Sequence, residues 1–256
     1  LGIIGNFGRT FEAYTGDVIM PCDQDDRWLP HKIAEQAEAL SDPEVTLCLG
    51  HAMVCDENLV PLDKTHGDVT RLTAKSRAAI AAGDGYRGLV GHGGYVGHAM
   101  AFPRRLLDTL LPMPTSTGWD RWLQLVGSFC GKTAERGVLT HYRRHERQAS
   151  GSNHRSLSAA ARQGFSKRVD HLDLDRRTWQ MLLERLQSAY ASEPPADAEQ
   201  RLQLVRRRIA LNERRLAMRR HRLARTTLAV GSLLRGDYHG VARGWLTFAR
   251  DLRGGG

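Results

Sequence analysis

Residues 22–30 read Cys-Asp-Gln-Asp-Asp-Arg-Trp-Leu-Pro and place three carboxylates, Asp23, Asp25 and Asp26, within four positions. They come just after the apolar stretch Val18-Ile19-Met20, with Pro21 and Cys22 between. Like charges this close repel unless a cation or hydrogen-bond donors offset them. Hard divalent cations such as Mg²⁺ or Mn²⁺ take oxygen ligands of this kind and often keep coordination places for substrate phosphates. An acidic loop, or an Asp capping the helix that begins beyond Trp28-Leu29-Pro30, is the other reading of the same residues. Other chemistry is excluded on spacing. His92 and His98 form no coherent zinc set with Cys22, Cys48, Cys55 and Cys130. No Walker A loop, Gly-x-Ser-x-Gly elbow or dinucleotide-binding glycine fingerprint is present in the context such motifs require.

Residues taken singly are ambiguous. Asp120, just after Gly118, reads as an ordinary helix-start residue. Trp119 and Trp122 suit core packing or a sugar platform. His145 suits the surface, and Arg143 and Arg144 either offset phosphate charge or face solvent.

The elements that must position these residues alternate. A short helix near residues 10–14 leads to a strand at about 17–21, then the acidic loop, then a helix at about 30–40. In that helix Ile33, Ala37 and Leu40 are spaced for one buried face. Asp42-Pro43 ends it, residues 45–49 read as a second strand, and 51–68 as a strand edge and loop. Residues 73–82 are Ala-rich and helical in pattern. A zone with Gly88, Gly91, Gly93, Gly94 and Gly97 precedes apolar residues 99–102, and helices are expected near 104–111 and 119–126. Strands alternating with helices predict an α/β sheet with its site at strand C-termini.

The 256 residues carry a net charge of +9, placed unevenly. Residues 1–154 hold 16 Lys/Arg against 18 Asp/Glu, whereas residues 155–256 hold 21 against 10. The second segment reads as long arginine-rich helices, with a packing stripe of Leu202, Ile209, Leu216 and Leu223 at seven-residue spacing and Leu204, Leu211 and Met218 beside them. Ten arginines face one acid, Glu213, over residues 201–225. Solvated arginines, contact with an anionic membrane and RNA binding are the readings of that run, and no RRM, KH or finger pattern supports RNA. Leu228, Val230, Leu233, Leu234, Tyr238, Trp245 and Phe248 among the arginines suit a tail lying on a membrane. No run approaches the roughly 20 apolar residues of a spanning helix, and no signal peptide is visible. The expected place is the cytoplasm, peripheral on the inner face of the membrane. Cysteine usage fits reduced thiols. The chain opens on Leu1-Gly2-Ile3 without an initiator Met, as a fragment would.

Taken together, these residues resemble a nucleotide-sugar glycosyltransferase of the GT-A, family 2 type, especially the bacterial rhamnosyltransferase-like group. Gly5-Asn6-Phe7-Gly8-Arg9-Thr10-Phe11 is similar to that family's N-x-G-x-x-x-N-F stretch in degraded form. Residues 16–33 resemble its D-Q-D-D-x-W block. Gly97-His98-Ala99-Met100-Ala101-Phe102-Pro103-Arg104-Arg105-Leu106-Leu107 resembles G-C-T-M-A-F-x-R-x-L-L, with His98 and Ala99 replacing Cys and Thr. Trp119-Asp120-Arg121-Trp122-Leu123 is similar to H-D-x-W-L, with Trp119 in the His place. Residues 142–151 resemble Y-R-x-H-x-x-N-x-S-G, with Gln148 for Asn, and Gly236-Asp237-Tyr238 with the following residues resembles the family's helical tail.

The resemblance implies an N-terminally incomplete GT-A sheet over residues 1–154 and a basic helical extension over 155–256. The first strand, the A-T-Y-N-G-like loop and the D-D-G-S-like segment of the family have no counterpart here. The implied reaction transfers rhamnose or a similar deoxyhexose from a nucleoside diphosphate to a glycan or lipid-linked acceptor, with inversion. Asp23, Asp25 and Asp26 would hold Mn²⁺ or Mg²⁺ and the donor diphosphate, with His145 and Arg143 beside them. Asp120 would be the general base, and Gly97, His98, Trp119 and Trp122 would lie near the sugars. A catalytically inactive relative acting as a scaffold is the alternative, and a basic RNA-binding protein the more distant one.

Overall fold

The computed structural model describes residues 2–70, 72–91, 94–145, 164–220, 225–242 and 244–253. The chain divides into two compact units, Leu1–Ala149 and Ser150–Gly256.

The first unit is a mixed β-sheet flanked by helices. Helix α1 (Gly2–Glu12) precedes strands β1 (Val18–Ile19) and β2 (Arg27–Trp28). Helix α2 (Lys32–Ala39) is followed by β3 (Val45–Cys55), β4 (Pro61–Thr65), and three short helices, α3 (His66–Thr70), α4 (Ala74–Ala81) and α5 (Gly85–Leu89). Then come β5 (Met100–Pro103), α6 (Leu107–Leu110), α7 (Trp119–Cys130) and β6 (Lys132–Arg143). The strand order is β1-β5-β3-β6-β2, with β4 paired to β3. Only the β3–β6 pair is parallel; the other pairings are antiparallel. Strands alternate with helices as the sequence predicts, but most connections reverse direction.

β1 and β2 are neighbours in sequence yet lie at opposite ends of this order. Four strand spacings of roughly 4.8 Å put them about 19 Å apart. Residues 20–26 therefore run across the ends of the three inner strands, a span that eight steps of extended chain, about 27 Å, cover with room for the turn in which the Asp26 N–H donates to the Asp23 carbonyl.

The core sits on both faces of β3, whose first six residues are all buried. Ala39, Leu40, Val45, Cys48 and Ala101 form one cluster under α2. On α7, Trp122, Leu123, Val126 and Phe129 are fully buried. An added Cβ at Gly127 would lie 2.9 Å from Leu47, so glycine lets α7 approach β3 closely.

The buried face of α2 agrees with the predicted one at Leu40 but not at Ile33 and Ala37. Ile33 is 57% exposed and Ala37 is exposed, while Lys32, Gln36 and Ala39 are buried. The cause lies in the hydrogen bonds: the Gln36 amide donates to the Ala99 carbonyl at 2.9 Å, and the Lys32 ammonium donates to the Gln36 side chain.

The second unit is helical: α8 (Gly164–Ser192), α9 (Ala198–Arg220), α10 (Arg225–Leu234), α11 (Asp237–Val241) and α12 (Trp245–Leu252). Its inner face on α9 includes Ile209, Leu211 and Met218 of the predicted stripe, joined by Arg201, Val205 and Asn212; Leu202, Leu204 and Leu216 are half-buried, and Leu223 lies outside the described residues. All four cysteines are free. Among the described residues no helix is long and apolar enough to cross a membrane.

Candidate metal centre

Sheet register builds the site. β1 pairs with β5 through Val18↔Pro103 and Ile19↔Phe102, which brings the segment after β1 to the turn before β5, where Asp23 meets His98. His98 sits in a tight turn, Gly97–Ala99, that the Gln36 amide fastens to α2. On the other side β2 pairs with β6, and the Arg143 backbone N–H donates to Asp26 Oδ1 at 2.9 Å. The acidic run is not a helix cap: the N-cap of α2 is His31, which makes no side-chain cap bond.

Ligand atoms of Asp23, Asp26 and His98 lie within 4.8 Å of one another. The Asp26 and His98 side chains are each 1% exposed, with Nε2 and Oδ2 3.1 Å apart. Despite that approach Asp26 Oδ2 and both His98 ring nitrogens make no well-formed hydrogen bond. Buried polar atoms without partners are costly and call for a bound group. Burial pushes the Asp26 carboxyl up to about 7, against the Arg143 N–H that pulls it down. Burial, helped by the Lys32 and His66 charges, pulls His98 down to about 3, so its imidazole is neutral. Asp23 is also raised, first by burial and then by Asp25 and Asp120. A neutral imidazole and two carboxylates whose charges repel are a donor set that a divalent cation satisfies. The residues present therefore fit a divalent cation.

The expected residues fall into three groups. Asp23 and Asp26 come together, and His98, expected near the sugars, joins them as a further candidate ligand. Asp25 is outside this set; its Oδ2 pairs with His145 Nε2 at 2.9 Å, both side chains half-buried. Arg143 serves Asp26 through its backbone. Asp120 lies at the start of α7, close enough to Asp23 for its charge to raise that carboxyl. Its own pKa is raised by burial, and Oδ1 accepts from the Arg121 N–H at 2.8 Å.

The tryptophans are core residues. Trp122 is fully buried and its indole donates to the Leu110 carbonyl at 2.8 Å, which leaves no face for a sugar. Trp119 is 8% exposed and stacks on Phe7 at 4.0 Å. A Cβ at Gly97 would meet its indole at 2.1 Å. Gly97 thus acts by letting the His98 turn lie against the start of α7. His92 and residues 146–151 lie outside the described residues.

Two residues of this neighbourhood, Lys32 within the acidic block's match and His66 outside every match, are not among the expected site residues. Lys32 is fully buried, its ammonium 4.6 Å from the Trp28 ring centroid, and burial lowers it to about 8. His66 has a buried Nδ1 without a hydrogen bond and is lowered by burial. Tyr142 lies between His66 and His98, with ring centroids 5.8 and 5.5 Å away. A lysine at a helix start and a histidine after a loop look ordinary until the fold brings them together.

No protein-family model matches this chain, and no curated protein matches it.

Proposed function

We propose that the first unit binds a divalent cation with a nucleoside diphosphate sugar and transfers the sugar to a hydroxyl acceptor. The observation that carries this reading is the Asp23–Asp26–His98 cluster, with orphaned atoms on Asp26 and His98, near the half-buried Asp120. The motif resemblance of residues 16–33, 97–107 and 119–123 points the same way.

When bound, the cation would neutralise charge that develops on the leaving diphosphate. Asp23 and Asp26 Oδ2 would hold it together with a His98 nitrogen. The Arg143 N–H fixes the Asp26 carboxylate through Oδ1, leaving Oδ2 for the cation. Asp120 would take the acceptor hydroxyl proton at its carboxylate; burial makes it a stronger base than an ordinary aspartate. A single base opposite the leaving group suits direct displacement with inversion. Rhamnose or a related deoxyhexose is the sugar, and a glycan or lipid-linked acceptor the hydroxyl, that the resemblance favours.

Calorimetric titration with Mn²⁺ plus dTDP, UDP or GDP tests this reading, with Asp26→Asn and His98→Ala variants alongside. Metal-dependent binding of one nucleotide, lost in both variants, is the expected result. A folded wild-type protein that binds neither metal nor nucleotide would overturn it.

A further inference from the structure

α12 is inside-out. It buries polar residues, Thr247 and Asp251, and exposes Trp245, at 62%, together with Leu246, Leu252, Arg250 and Arg253. The inward Asp251 accepts from the Arg215 guanidinium at 3.0 Å and from the Tyr238 hydroxyl at 2.9 Å, so the orientation is fixed by charge. α10, which packs against α12, repeats the pattern. It buries Ala229 and Ser232 and exposes Val230 and Leu234, the latter at 82%.

We infer that the second unit docks on an anionic lipid bilayer through the outward faces of α10 and α12. This goes beyond sugar transfer and does not depend on it. The apolar side chains Val230, Leu234, Trp245 and Leu246 have the character of residues that enter the headgroup–acyl boundary, where a Trp ring is well accommodated.

Charge selects the kind of partner. Residues 225–253 contain two acids, Asp237 and Asp251, and the fold turns both inward. Asp237 is held by Arg214 and Arg235, and Asp251 by Arg215. Arg250 and Arg253 are left exposed beside the apolar residues of α12. A second copy on a two-fold axis would set these arginines against themselves. An anionic headgroup layer attracts them, each basic residue adding about 1 kcal/mol near such a surface.

Co-sedimentation of the full chain with phosphatidylcholine vesicles, with and without phosphatidylglycerol, tests the inference. The wild type should sediment with the phosphatidylglycerol vesicles, weakly with phosphatidylcholine alone, and less at high salt. Trp245→Ser/Leu246→Ser should lower partitioning about tenfold or more. Arg250→Glu/Arg253→Glu should remove the preference for the anionic vesicles. All four positions are exposed, and unchanged circular dichroism and melting would show the fold intact. No binding to anionic vesicles, or binding unaffected by the Trp245/Leu246 variant, overturns the inference. So does a wild-type dimer, seen by sedimentation velocity and abolished by that variant, without vesicle binding; it would give this face to a second copy.

Discussion

Asp26 and His98 lie 3.1 Å apart in a pocket that favours the uncharged form of each. In the fold Asp26 holds its proton up to about pH 7, whereas the unfolded chain releases it near 3.8. Between those values the folded state binds the extra proton, so stability falls as pH rises through the window. A divalent cation takes only the deprotonated carboxylate and must displace that proton. Thermal stabilisation by Mn²⁺ should therefore be larger at about pH 8 than at about pH 6, with proton release visible in calorimetry at the lower pH. Equal stabilisation at both would remove Asp26 from the ligand set. Lys32 has the opposite sense. Burial lowers its ammonium to about 8 from 10.5, so stability rises with pH between those values, and below about 8 the cost is full, on the order of 3 kcal/mol. A buried lysine that costs stability beside a candidate site is a functional candidate. Lys32→Met is expected to raise the melting temperature at neutral pH and to weaken binding of an anionic ligand; a lower melting temperature would show that its bond to Gln36 outweighs burial.

At the scale of elements, the contact between the Gly97 turn and α7 couples His98 to Asp120. A methyl group at Gly97 would sit 2.1 Å from the Trp119 indole, which is itself clamped by Phe7. Gly97→Ala should cost about 1–3 kcal/mol and weaken Mn²⁺ binding by displacing the turn. Gly137→Ala, where nothing lies within 4 Å of the added carbon, is the matched control, and equal losses in both would deny the coupling. The elements were legible in the sequence to different depths. The acidic run and α7 stand out from residue types alone. For α2 the period was legible and most of the buried face was not: apolar counting turns Ile33 inward, while the structure buries Lys32 and Gln36 to reach the His98 turn. β6 was missed because Lys132, Glu135, Arg136, His141 and Arg143 interrupt any apolar alternation. That strand brings the Arg143 N–H to Asp26 across 117 positions, and no local spacing signals such a contact.

At the scale of the molecule, the excess of basic residues after position 154 reads in sequence as an outward field. Much of it is turned inward. Arg208 pairs with Asp175, Arg214 with Asp237 and Arg215 with Asp251, all at 3.0 Å or less. These acids lie 23 to 36 positions away, so a charge count along α9 cannot reveal them. Arg215→Met should leave Asp251, 5% exposed, without its cation and destabilise the second unit by about 3 kcal/mol, read by its melting transition. An unchanged transition would mean that the Tyr238 hydroxyl alone suffices. The strand order has a further consequence. Residues 20–26 carry the candidate ligands Asp23 and Asp26 and also join the sheet's two outermost strands, each only two residues long. Fastening that segment at its middle removes freedom from both of its ends. Occupancy of the centre should therefore be written into backbone amides it does not touch: Mn²⁺ is expected to slow hydrogen exchange at Ile19 and at Trp28 together, on opposite margins of the sheet. The loop would work as a tie-rod, turning the capture of a single ion into cohesion across the whole width of the sheet.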